Sequence, residues 1–235
     1  MAPAGTQGTG VGAVLMVAHG VIGLGAGWGI SRLADRELGL RQAPQLRPTQ
    51  TSLTVLVTAI LFVAFGALLP MGAGARFWAD SLVLMAYWFC TGFSVLLSVI
   101  DFRTHILPNR FVLPAIAMTA VLLAAATFSA GEGWESYWQA IASGSAAYGL
   151  LFILCIVGGL GFGDVKLGAI LGAYCGWLSW GAAAMGLVLA FLLGGLVSLM
   201  LVLSRRASRK SSVPFGPWLC LGALLAMLAT LAFAP

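Results

Sequence analysis

What this chain can fold into is decided by how rarely a charge interrupts its apolar runs. Residues 11–30, 52–69, 78–100, 111–128, 139–157, 164–178, 181–203 and 218–233 make eight apolar stretches. About 20 such residues are enough for a helix to cross the hydrocarbon core of a bilayer. Of the 235 residues 60% are hydrophobic and only 8% are charged, whereas a soluble domain carries roughly 25% charge. The sequence therefore predicts an all-α, polytopic membrane protein with about eight transmembrane helices in a single transmembrane domain, 1–235. The sixth stretch is short for a full crossing.

The connections between the stretches carry the charge. Residues 31–50 read as a short polar loop holding Arg32, Arg36, Arg41 and Arg47 with Pro44 and Pro48, and 70–76 as a turn. Residues 101–110 form the next loop, in which Pro108 disfavours helix at Leu107, and Pro114 falls in the first turn of the stretch after it, where proline is tolerated. Residues 129–138, with Trp134 and Trp138, read as an interfacial aromatic loop, and 204–212 as a basic loop. If eight stretches cross, successive connections alternate sides. One side then receives Arg32, Arg36, Arg41, Arg47, Arg103, Arg110, Lys166, Arg205, Arg206, Arg209 and Lys210, which is 11 of the 12 basic residues, and the other only Arg76. This asymmetry predicts that the basic side faces the cytoplasm and both termini face outward. The net charge of +5 is thus a topology signal, with no nucleic-acid partner implied and the lipid bilayer as the partner expected. The N-terminal residues lack a basic n-region, so the first apolar stretch reads as a retained helix and not a cleaved signal.

Other chemistries find little support. The four cysteines stand singly in apolar runs with no C-x-x-C, so they read as small buried hydrophobes and neither a disulfide frame nor a cysteine zinc site is expected. His19 and His105 are the only histidines, which argues against a histidine metal centre. No G-x-S-x-G occurs, which disfavours a serine nucleophile.

The acidic residues are more informative. Of seven, Asp35 and Glu37 lie among arginines in the first polar segment, where solvation accounts for them, and Asp80, Glu132 and Glu135 fall in outer connections. Asp101 and Asp164 remain, both at membrane boundaries on the predicted cytoplasmic side. A carboxylate at such a place is costly and marks a functional site. Asp164 follows Gly159, Gly161 and Gly163 and heads Gly168, Gly172 and Gly176, spaced by four. Residues four apart share a helix face, so Asp164 heads a groove that admits another helix closely; the third is the expected partner. Lys166 diverges from that face and reads as reaching the interface or a lipid phosphate. Two carboxylates that meet share a proton, and one can act as base while the other acts as acid, as peptide hydrolysis by water requires. The plainer alternatives are that Asp164 is a helix N-cap and that Asp101 is a helix-end carboxylate paired to Arg103 or Arg110.

Three ordered motifs resemble those of type IV prepilin peptidases. Residues 101–114, D-F-R-T-H-I-L-P-N-R-F-V-L-P, are similar to the first active-site segment of that family, through Asp101, Thr104, Leu107, Pro108, Asn109, Leu113 and Pro114. Residues 161–167, G-F-G-D-V-K-L, with Gly161, Gly163 and Lys166, resemble its G-x-G-D segment, and P-F-G-P at 214–217 its signature before the last helix. Residues 25–33 are a weaker echo of its first helix. The resemblance implies a membrane aspartic endopeptidase of the bacterial inner membrane. It would cut the basic leader from type IV prepilins, and from the pseudopilins of type II secretion, at the cytoplasmic face, with Asp101 and Asp164 as its catalytic pair. Many members carry two C-x-x-C pairs and zinc in the first cytoplasmic loop, and methylate the new N-terminus. Residues 31–50 contain no cysteine, so no zinc or other cofactor is expected, and methylation is not carried over. Read without the resemblance, the aspartates also suit a proton-coupled transporter, and the chain a non-enzymatic pilus or secretion assembly factor. Nothing in the sequence sets the oligomeric state.

Overall fold

A computed structural model describes residues 7–69, 71–72, 75–131, 134–204 and 214–233. Among these residues eight α-helices follow one another: α1 (Gln7–Leu40), α2 (Pro48–Leu68), α3 (Ala75–Thr104), α4 (Asn109–Ala130), α5 (Trp134–Gly158), α6 (Phe162–Leu178), α7 (Trp180–Leu203) and α8 (Gly216–Ala232). No strand occurs among the described residues. Six of the helices are long and apolar enough to cross a membrane, and the architecture is that of a polytopic all-helical membrane protein. The other two, α6 and α8, have 17 residues each, about 26 Å at 1.5 Å per residue, a little short of a hydrocarbon core.

Several boundaries differ from the sequence expectation. The segment 31–50 is not a loop for most of its length: α1 continues to Leu40 and α2 starts at Pro48. The overhang of α1 is amphipathic. Ser31, Ala34 and Leu38, at helical spacing, are buried while Arg32, Leu33 and Arg36 are exposed. Charge density alone had suggested a loop, but helix persists wherever one face of it has something to pack on. Asp101 likewise lies inside the last turn of α3, and the connection proper begins at His105, in the left-handed region at φ 53°. Because α4 already begins at Asn109, Pro114 stands inside the helix and not in its first turn. The segment 129–138 is mostly helix, the end of α4 and the start of α5. Arg205, Arg206, Arg209, Lys210 and Glu132, assigned to connections from the sequence, lie outside the described residues.

The helices alternate direction, and side-chain bonds mark the two ends. At one end the last turns of α1 and α3 meet the first turns of α2, α4, α6 and α8. At the other, Trp177 Nε1 near the end of α6 donates to Thr127 Oγ1 of α4 at 2.9 Å, and the Gly72 N–H donates to Asp80 Oδ2 at 2.7 Å. The core lies around α6, whose Val165, Leu167, Ile170, Leu171, Tyr174 and Trp177 are buried. Tyr87 of α3 donates through its hydroxyl to the Tyr174 carbonyl at 3.2 Å.

The glycine face of α6 packs on α5 and not on α3 as expected. A Cβ on Gly172 would stand 2.8 Å from Ala147 Cβ and 3.1 Å from the Ser143 carbonyl oxygen, and one on Gly176 would meet Ser143 and the Gln139 carbonyl. Ser143, Ala147 and Leu151 are themselves spaced by four, so two small-residue faces close on each other, as membrane helices favour. With α6 held tightly by α5, the rest of its surface packs against α3, α4, α7 and α8.

Candidate active site

Asp101 is directed inward by its place on α3. Ser94, Leu97 and Asp101 recur at helical spacing and all are buried, Asp101 being only 4% exposed. The carboxylate therefore continues the inner stripe of the helix instead of turning out to water at the helix end. Asp164 sits in the first turn of α6 and is 8% exposed. The N-cap is Gly161, so the N-cap reading of Asp164 does not hold. Asp164 instead donates its own N–H to the Gly161 carbonyl at 3.0 Å.

What brings the two together is the start of α8. The Gly216 N–H donates to Asp101 Oδ2 at 3.2 Å. The first N–H groups of a helix have no partner within it and carry partial positive charge, so this end of α8 suits a carboxylate. A Cβ built on Gly216 would stand 2.8 Å from Asp101 Oδ2 and 3.4 Å from Asp164 Oδ1. Both carboxylates thus converge on the one small space that the absent side chain leaves free. Pro217 at the next position is compatible with a first helical turn, where an N–H is not needed.

The ion-pair alternative for Asp101 fails. Arg103 donates to the Pro44 carbonyl at 3.3 Å and to the Gln50 side chain. Arg110 pairs with Glu37. Among the described residues neither Asp101 nor Asp164 has a salt-bridge partner. Lys166, read from the sequence as reaching the interface or a lipid phosphate, makes two contacts within the protein. Its Nζ lies 4.8 Å from the centroid of the Phe162 ring and donates to Asn109 Oδ1 at 2.9 Å. Of the other residues singled out in the sequence, Pro108 is the N-cap of α4 in an extended conformation. Gly163 faces Leu107, and a Cβ there would lie 2.8 Å from Leu107 Cβ. The two motif segments, 101–110 and 161–167, are therefore packed against each other and joined by the Lys166–Asn109 bond.

Two residues at this end of the bundle were not singled out as site residues. Gly216 belonged to the P-F-G-P motif, which was its only signal. Glu37 had been assigned to solvent, yet it is 2% exposed and pairs with Arg41 and Arg110; its spacing from Ala34 and Leu38 was the available clue. Beside the carboxylates, Phe102 and Pro217, each adjacent in sequence to a residue of the pair's cradle, line one end of an apolar cavity of about 400 Å³ between α2, α3 and α8.

Residues 88–199, which include both aspartates, match the Type IV leader peptidase family. The chain is 34% identical over 181 residues to the prepilin leader peptidase/N-methyltransferase of Escherichia coli (strain K12), covering 74% of this chain and 71% of that protein. It is 32% identical over 183 residues to the protein of the same name from Aeromonas hydrophila, and 32% over 172 residues to that from Pseudomonas putida. It covers 57% and 55% of the lengths of these two, so it spans little more than half of each. No solved structure matches the chain.

Proposed function

The chain belongs to the type IV leader peptidase family, and from that premise we propose that it is a membrane aspartic endopeptidase in which Asp101 and Asp164 are the catalytic pair. Its substrates are prepilins and pilin-like pseudopilins, cut at the end of their basic leader. The observation that carries the reading is the convergence of the two carboxylates at Gly216.

One carboxylate takes a proton from a water held between them, and the water oxygen forms a bond to the scissile carbonyl carbon. The other, protonated, gives its proton to the carbonyl oxygen and so lowers the cost of the tetrahedral intermediate. Collapse of that intermediate breaks the C–N bond, with a proton passing to the departing amine. Asp101, anchored through Oδ2 by the Gly216 N–H, is the partner placed to act first as base. Neither group has a salt-bridge partner among the described residues, which suits a pair whose work is to exchange one proton. The apolar cavity lined by Phe102 and Pro217, the sequence neighbours of Asp101 and Gly216, suits the apolar chain that follows a leader. In this reading the pair works at the cytoplasmic face of the bacterial inner membrane, which the basic asymmetry supports. The reading carries neither zinc nor methylation, because residues 31–50 contain no cysteine.

The test is leader cleavage by the purified protein in detergent. Asp101→Asn and Asp164→Asn keep shape and remove a titrating group, and each lowers the rate about 10²- to 10⁴-fold. Because the two act as a unit, the double variant is hardly slower than either single one. Asp80→Asn, at the opposite end of the bundle, cleaves normally. Near-normal cleavage by either single Asn variant would remove the aspartic mechanism.

A further inference from the structure

A glutamate sealed inside a bundle needs partners, because an unpaired buried charge is among the costliest things a fold can hold. Glu37 is 2% exposed and takes no part in the chemistry above. Two arginines reach it from different places. Arg41, four residues on and just past the end of α1, donates from Nε to Oε1 at 2.7 Å. Arg110, in the first turn of α4, pairs with Oε2. Only the second of these contacts crosses between elements, and it lands on the motif segment that begins with Asp101.

The neighbours of that contact extend it. Asn109, adjacent to Arg110, accepts the bond from Lys166, two positions beyond Asp164. One line of polar contacts therefore runs from α1 through Glu37 and Arg110 to the α3–α4 turn, and from Asn109 through Lys166 to the start of α6. A second set of bonds fixes the same region from the other side. Asp35 Oδ1 accepts the Leu46 N–H at 2.8 Å, and Arg103 reaches the Pro44 carbonyl and Gln50. The overhang of α1 and the short connection after it are thereby docked on the end of α3. Pro114 removes the N–H that would have bonded the Arg110 carbonyl within α4, so the first turn of α4 has less support of its own and more need of an outside anchor.

We propose that Glu37 is a positioning residue for the carboxylate pair. Through Arg110 it fixes the α3–α4 turn, and through the adjoining Asn109–Lys166 bond it fixes the start of α6, so that Asp101 and Asp164 are held at their working separation. The proposal rests on the reading of these two as the catalytic pair. The α1 overhang supplies Glu37, the turn after it Arg41, and the first turn of α4 Arg110.

The experiment measures kcat and KM for leader cleavage by purified Glu37→Ala, Glu37→Gln and Arg110→Ala, with thermal unfolding and amide hydrogen exchange on the same samples. A misplacement of about 1 Å at a reacting centre costs about a hundredfold. Glu37→Ala and Arg110→Ala are accordingly expected to lose about ten- to a hundredfold in kcat with KM changed less than about twofold. Glu37→Gln, which can still accept from Arg110, recovers part of the loss. Exchange quickens at 105–110 and at 162–166 together in Glu37→Ala. Pairing Glu37→Ala with Lys166→Ala gives a loss smaller than the product of the single losses, since both cut one line. Full kcat in Glu37→Ala, a loss confined to KM, or independent effects of Glu37 and Lys166 would overturn the proposal. If Glu37→Ala unfolds, Glu37→Gln and Arg110→Ala decide by the same criteria. Asp101→Asn separates the two readings: if it still cleaves, the catalytic assignment has failed, whereas if it is dead and Glu37→Ala is unimpaired, only the clamp has failed.

Discussion

Gly216 shows how a residue without a side chain can organise two that have one. Its N–H holds Asp101, and its missing Cβ leaves the space in which Asp101 and Asp164 approach each other. Gly216→Ala therefore puts a methyl group 2.8 Å from Asp101 Oδ2, on a helix backbone that cannot simply step aside. The carboxylates are the more mobile partners and separate. We expect kcat for leader cleavage to fall about ten- to a hundredfold while the unfolding temperature changes by only a few degrees, and a cleavage assay beside a melting curve checks both. Asp101 and Asp164 were legible in the sequence because charges amid apolar residues have few other uses. Gly216 and Glu37 were not. The bond from Gly216 to Asp101 spans 115 positions, and Glu37 resembles its solvated neighbours until Arg110 is brought onto it by the fold.

At the scale of elements, the spacing of Gly168, Gly172 and Gly176 correctly marked a close-packing face on α6 and misled about its partner. A repeat of four defines a face but says nothing of which helix will cover it. The complementary signal lay in α5, where Ser143, Ala147 and Leu151 repeat at the same interval. Gly172→Leu has to place a side chain where Ala147 Cβ is 2.8 Å and the Ser143 carbonyl 3.1 Å away. It should destabilise the bundle by about 1–3 kcal/mol or more, seen as a lower midpoint of thermal unfolding in detergent. Asp164→Asn, on the same helix but away from that interface, should leave the midpoint nearly unchanged. If Gly172→Leu unfolds normally and loses cleavage alone, α5 is not what α6 packs on. The overhang of α1 carries the same lesson: residues 31–40 look like a loop by charge and are a helix by the spacing of Ser31, Ala34 and Leu38.

For the whole molecule, topology follows from composition and the site from assembly. By the positive-inside rule, the 11-to-1 division of basic residues predicts that the ends bearing Asp101 and Asp164 face the cytoplasm. A reporter fused after Ser208 should read cytoplasmic and one after Gly133 external, both fusion points lying outside the described residues; the reverse pattern would put the pair on the wrong side for a leader. The sequence by itself determined that the chain is a helical membrane bundle, that its basic residues are unevenly divided among the connections, and that two aspartates lie at the ends of apolar stretches. Those facts are local: hydropathy over about 20 residues sets a span, and a charge within it is conspicuous wherever the span goes. Only the tertiary structure decided that α8 supplies the meeting point of the carboxylates, that α5 rather than α3 covers the glycines of α6, and that Arg110 belongs to Glu37 and not to Asp101. These are choices among partners of nearly equal local chemistry. An arginine can pair with any carboxylate and a glycine face can admit any small-residue helix, so the partner is selected by the packing of all eight helices at once.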